Sequence, residues 1–174
     1  MEFEAMLARS EKRLEDALLK YDEIISFAKR YYGNRHVNTL VQEVGKASVL
    51  RELDQPKQAI PIYREVIEIM QESDKKYTTI HAIIFNLASA YLQINQPEEA
   101  IRILLEDLND IEDHYSIPYA ELCMAIAKGY RQLQKPKEEK QYLLLSKPVF
   151  EKYYGSDHPK TIYVNDRLKE LEDR

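Results

Sequence analysis

Apolar residues along this chain recur three and four positions apart, the spacing that gathers side chains on one face of an α-helix. Ala47 with Leu50, Ala88 with Tyr91 and Ala127 with Tyr130 pair a small residue with a large one three positions on; Ala17 with Tyr21, Ala59 with Tyr63 and Ala100 with Leu104 do so at four. A small side chain lets a second helix approach closely while the large one fills the flank. The pairs flank a recurring segment. Leu53-Asp54-Gln55-Pro56-Lys57-Gln58-Ala59-Ile60 matches Ile94-Asn95-Gln96-Pro97-Glu98-Glu99-Ala100-Ile101, and Leu133-Gln134-Lys135-Pro136-Lys137-Glu138-Glu139 follows the same plan. The prolines stand 41 and 39 residues apart, so the chain is an internal repeat.

Each repeat predicts two antiparallel helices. Proline sits in the first turn of the second helix, where its missing N–H costs nothing, and Asp54 or Asn95 just ahead is expected to supply a capping oxygen. The two ends of the chain echo each other: Tyr31-Tyr32-Gly33-Asn34-Arg35-His36-Val37-Asn38-Thr39 against Tyr153-Tyr154-Gly155-Ser156-Asp157-His158-Pro159-Lys160-Thr161. Gly33 and Gly155 suit a left-handed residue that ends a helix, and His36 and His158 suit a hydrogen-bonding role where the next helix starts. The predicted elements are a first helix to about Tyr32, helix pairs centred on the three prolines and a closing helix from about Pro159 to Glu172. They form a single all-α domain over residues 1–174, with about three full repeats, a partial N-terminal repeat and a C-terminal capping helix.

Four positions depart from the pattern. Glu139 stands where Ala59 and Ala100 stand, and an unpartnered buried carboxylate would be costly, so a register shift or local solvent access is expected. Pro148 falls inside the last long helix and predicts a kink or break near Lys147, and Pro61 raises the same question. Asp107 replaces a small residue late in the second helix of its repeat.

Composition supports helices and narrows the chemistry. Only 4 Gly and 7 Pro accompany 44% hydrophobic and 32% charged residues, leaving little turn chemistry for a sheet. The net charge is −5 with both signs interleaved, which disfavours nucleic acid because phosphate neutralisation needs a concentrated basic stripe. No run approaches membrane-spanning length, and Met1-Glu2-Phe3-Glu4 is acidic where a signal peptide is basic. A sole cysteine, Cys123, excludes an intrachain disulfide and fits a reducing compartment such as the cytoplasm.

Asn86-Leu87-Ala88-Ser89-Ala90-Tyr91 followed by Pro97-Glu98-Glu99-Ala100-Ile101 closely resembles the tetratricopeptide repeat (TPR). The ordinary period is about 34 residues, so spacings near 41, with Tyr154-Gly155-Ser156-Asp157-His158-Pro159 at a repeat boundary, resemble the extended form of kinesin light chain. The resemblance implies a right-handed α-α superhelix, a TPR solenoid of antiparallel helix pairs whose first helices line a concave, partner-binding groove. Carried onto this sequence, the groove positions are Val44, Ser48 and Arg51; Phe85, Asn86, Ser89 and Leu92; and Met124, Ala125, Lys128 and Arg131, with Arg167 closing one end. Apolar groups beside cations imply a protein or peptide partner with hydrophobic anchors and acidic residues. Phe85 and Met124 fit a packing role between repeats equally well, and Lys128 and Arg131 fit the role of solvated charges. A clamp for chaperone C-terminal carboxylates is not expected, since Val44 and Ser48 offer no cation.

The implied function is an adaptor or scaffold; a peptide-sensing module that changes shape on binding and, remotely, an enzyme on a helical scaffold are the alternatives. No cofactor is expected. The four histidines lack metal-ligand spacing, no phosphate-binding glycine loop is present, and no nucleophile, base and positioning group can be assembled. Cys123 reads as a buried thiol. The end of the array beside Glu2 to Leu19 would meet either a second copy, giving a homo-oligomer, or a terminal cap.

Overall fold

The computed structural model describes residues 2–73 and 79–173. Its described residues form nine helices and no strand: α1 Glu2–Ser10, α2 Leu14–Tyr32, α3 Val37–Glu52, α4 Pro56–Gln71, α5 Ile80–Gln93, α6 Pro97–Asn109, α7 Ile117–Gln132, α8 Pro136–Tyr154 and α9 Pro159–Glu172. They group into two compact units, Met1–Ile94 and Asn95–Arg174. In the first, α1 packs on α2, α2 on α3, α3 on α4 and α4 on α5, and α3 also touches α5. In the second, α6 packs on α7, α7 on α8 and α8 on α9. Within each unit, sequence neighbours are therefore spatial neighbours, as helical hairpins require.

The segment expected as one helix to Tyr32 is two. Lys12 takes a left-handed backbone (φ 61°), the Lys12 N–H bonds to the Arg9 carbonyl at 3.1 Å and the Arg13 N–H to the Ala8 carbonyl at 2.9 Å. Asp54 and Gln134 carry the same turn, with φ 58° and 57°, the N–H of Gln55 and of Lys135 reaching back to Leu50 and Tyr130. Asn95 completes the set at φ 56°. Asp54 and Asn95 thus use their tolerance of positive φ in the turn, and neither α4 nor α6 has a side-chain cap. The expected capping oxygens are not found: Gln55 and Gln96 hold the N-cap positions, and the backbone bonds at Asp54 close the end of α3.

Counted from these turn residues, the packing positions coincide. Ala5, Ala47, Ala88 and Ala127 hold one place and are at most 1% exposed; Ala17, Ala59 and Ala100 hold another and are fully buried. One core cluster of the first unit gathers Ala5, Ala8, Ala17, Tyr21, Ile24, Ile25 and Val49. That of the second gathers Ala120, Met124, Ala127, Leu143, Val149, Phe150, Val164 and Leu168, so α9 covers the end of the unit through its last two members.

Glu139 is buried without the expected register shift or solvent access. Arg167 of α9 grips it, Nε to Oε1 at 2.6 Å and Nη2 to Oε2 at 2.9 Å. The arginine expected at the end of a groove is instead in the core. No break occurs at Pro148 or Pro61: α8 and α4 run through them, and both prolines face solvent, where water can satisfy the freed carbonyl. Asp107 is buried, like the Val66 and Ser146 that hold its place in other repeats.

Gly33 and Gly155 end α2 and α8 with φ of +91° and +82°, a region that side-chain-bearing residues avoid. Beyond each, a histidine caps the next helix: His36 Nδ1 accepts from the Asn38 N–H and His158 Nδ1 from the Lys160 N–H, both at 3.2 Å. Each imidazole stacks on the tyrosine before the glycine, Tyr32 at 4.8 Å and Tyr154 at 4.2 Å between ring centroids. His158→Ala should lose about 1 kcal/mol by chemical denaturation, the typical worth of an N-cap; His158→Asp, which keeps an acceptor there, should lose less. Equal losses in both would place the contribution in the ring stack.

Candidate partner-binding surface

The sequence-derived positions fall on α3, α5 and α7 in equivalent places, but not all are available at the surface. On α3, Val44 and Arg51 are half-buried, while Ser48 is 5% exposed and its hydroxyl lies 2.9 Å from the Val44 carbonyl and 3.0 Å from the Tyr63 hydroxyl of α4. Ser48 therefore faces into its own hairpin. Arg51 Nε is buried and has no hydrogen-bond partner among the described residues. On α5, Phe85, Asn86, Ser89 and Leu92 are all half-buried, and the Ser89 hydroxyl donates to the Phe85 carbonyl at 2.9 Å. These partly open positions of α3 and α5 belong, with Val41 of α3 at 45% exposure, to the first unit.

In the second unit, Met124 and Ala125 are 5% and 4% exposed, and Met124 belongs to the core. Lys128 and Arg131 are exposed, one helical turn apart on α7, and no ion pair engages either among the described residues. The Lys128 ammonium stands 5.3 Å from the centre of the Tyr163 ring of α9. Partial desolvation of this otherwise exposed side chain, with repulsion from Lys160 added, lowers its pKa from the ordinary lysine range. Lys160, at the start of α9, pairs with Glu121 of α7 and stands 5.6 Å from the Tyr154 ring centre. Two ammonium groups thus stand near tyrosine rings, Lys160 paired with Glu121 and Lys128 in no ion pair among the described residues, and the solvent-exposed Arg131 follows on the same helix. Such a surface attracts an anionic group.

Sequence reasoning missed Glu121, Lys160 and Tyr163. Glu121 and Lys128 are seven apart on one helix, which places them on a shared face and was a usable signal; nothing in the sequence tied α9 to that face.

Cys123 is fully buried on α7, and burial pushes its thiol up to about 12, only partly offset by hydrogen bonding with Tyr119. Tyr119 is likewise pushed up to about 12 by burial, with Cys123 contributing. Both groups fold in the protonated form, so the unfolded chain releases its protons first as pH rises. Stability should be unaffected below the ordinary thiol range and fall between that range and pH about 12. Denaturant titrations across alkaline pH should show this decline, and Cys123→Ser should reduce it; a flat profile would contradict the protonated, buried thiol. No helix among the described residues is long and apolar enough to cross a membrane.

A family model, Tetratricopeptide repeat, matches residues 83–118, from α5 through α6 to the first turn of α7. No curated protein matches the chain significantly by sequence. Among solved structures, a Podosopora anserina putative kinesin light chain with nearly identical TPR-like repeats aligns at TM-score 0.80 and 16% identity, over 97% of this chain and 82% of that one. The apo form of RapI aligns at TM-score 0.84 and 19% identity, over 98% of this chain and 61% of that one. BtubC (BKLC) from P. vanneervenii aligns at TM-score 0.73 and 17% identity, over 92% of this chain and 71% of that one. At these identities the likeness speaks for fold, and the fold is the all-α, superhelical TPR-like repeat, kinesin light chain-like forms included.

Proposed function

We propose that this tetratricopeptide-repeat chain is a protein-interaction adaptor or scaffold that holds a peptide or protein segment on the exposed side of its first helices. The observation that carries the reading is the pair of exposed cations on α7, Lys128 and Arg131, which no ion pair engages among the described residues, with Lys128 set over Tyr163 and beside Lys160. Cations held near one another without a carboxylate for each cost stability and gain it back when an acidic residue arrives. Val44, Arg51, Phe85, Asn86, Ser89 and Leu92 offer apolar and amide contacts to the same kind of ligand. In this reading residues 1–174 act as one domain, by binding rather than catalysis, in a reducing compartment such as the cytoplasm.

A displayed library of random peptides should enrich sequences in which acidic residues neighbour apolar anchors. Lys128→Glu with Arg131→Glu should abolish that enrichment, and Phe85→Asp should weaken it, with helicity by circular dichroism unchanged. Enrichment of basic or purely polar peptides, or full retention by the charge-reversed variant, would move the site elsewhere.

A further inference from the structure

Every lysine or arginine among the described residues that is partly or fully withdrawn from solvent has a carboxylate in reach, except one. Arg9 holds Glu52, Lys46 holds Asp22 and Arg167 holds Glu139. Arg51 of α3 is half-buried, its Nε has no hydrogen-bond partner, and no ion pair engages it among the described residues. A guanidinium does not shed its proton to escape burial, so the charge stays and calls for an anion. The repeat shows how that anion is supplied elsewhere. Arg9 stands three residues before the turn residue Lys12 and Arg51 three before Asp54, so the two hold one place in successive first helices. Arg9 is met from the next first helix: its Nε and Nη2 both donate to Glu52 Oε1, at 2.8 and 2.6 Å. Glu52, two residues before its own turn, corresponds to Gln93 of α5, and α3 also touches α5. Where Arg9 finds a carboxylate, Arg51 has an amide in register. Of the other residues in this place, Arg131 is exposed to solvent and Leu92 carries no charge.

We infer that Arg51 is a carboxylate-binding site, filled by an aspartate or glutamate side chain of the bound segment in the way that Glu52 fills Arg9. The inference rests on the adaptor reading and names the group that the first unit recognises. Gln93 fits the same role, since its amide N–H groups donate and a carboxylate accepts from an amide and a guanidinium together. Phe85 and Leu92 of α5, half-buried in the same unit, suit an apolar residue beside the acidic one. Partial burial limits competition from water and salt, so a pair formed at Arg51 is worth more than one on the open surface.

Peptides enriched on the full chain from a random display library, then synthesised, are the probes, with affinities read by calorimetry. Arg51→Met should weaken binding about tenfold or more, and Arg51→Lys less. Replacing the peptide's acidic residue by its amide should cost the wild type as much and cost Arg51→Met almost nothing, because the two changes remove one contact. Gln93→Glu should supply the carboxylate from within: the thermal midpoint rises, Arg51→Met removes that rise, and the peptide binds more weakly. Amidating the peptide's C-terminus should change nothing. Additive losses in the cycle, a Gln93→Glu chain that binds like the wild type, or sensitivity to amidation would each overturn the assignment while leaving the adaptor reading in place. A library without acidic and apolar enrichment is the separate result that removes the adaptor reading, and this inference with it.

Discussion

Arg167→Ala should lower the unfolding free energy of the second unit by about 3–5 kcal/mol, the usual result of stranding one partner of a buried ion pair. The Glu139 side chain is 2% exposed and that of Arg167 7%, so water cannot take over from the guanidinium. The two parallel bonds to Glu139 also raise the pKa of Arg167 above its already high ordinary value. Glu139→Ala combined with Arg167→Leu should recover most of the loss, because alanine is the residue that Ala59 and Ala100 place at that position and the repeat packs around it. Arg167→Lys should fall between, keeping charge but not the fork. Denaturant unfolding of the wild type and these three variants tests this; a double variant as unstable as Arg167→Ala would mean that the carboxylate, and not its isolation, is what the unit requires.

Gly45→Ala should destabilise the first unit by about 1–2 kcal/mol although alanine is the better helix former. In an exposed helix interior the substitution would gain about 1 kcal/mol. Here the new Cβ would stand 2.4 Å from Cε1 and 2.6 Å from Cζ of Tyr21. Tyr21 is 5% exposed and embedded in the core with Ala17, Ile24 and Ile25, so its ring can yield only by disturbing them. Overpacking of that kind costs about 1–3 kcal/mol and decides the sign. Tyr21→Leu in the same chain should suppress the loss, and a thermal midpoint that rises in Gly45→Ala would show that the ring moves without penalty.

The hairpin pattern was legible because its markers, Pro56, Pro97 and Pro136 with the alanines around them, are residue types whose backbone or volume admits few alternatives. The first hairpin escaped because Leu14 stands where the others have proline and because its turn is made by Lys12, a residue with no turn signature. Glu139 read as an anomaly, since its partner lies 28 residues away on another helix and no local rule pairs them. The candidate surface was read by position in the repeat, which located Phe85, Asn86, Lys128 and Arg131 on helix sides that are at least partly open. Position in the repeat says nothing of what a neighbouring helix does to a side chain. Tyr63 draws the Ser48 hydroxyl inward, and Met124 joins Val149 and Phe150 in the core.

The four turns at Lys12, Asp54, Asn95 and Gln134 hold every flanking alanine at the same distance, while the stretches that link one hairpin to the next differ in length. Within each unit a hairpin is hinged shut at its turn and adjustable at the link to the next. Evolutionary or engineered changes in length are thus confined, within each unit, to the links between hairpins, of which Gly33-to-His36 and Gly155-to-His158 are one each, and a residue inserted at a turn would put a whole layer of side chains out of step at once.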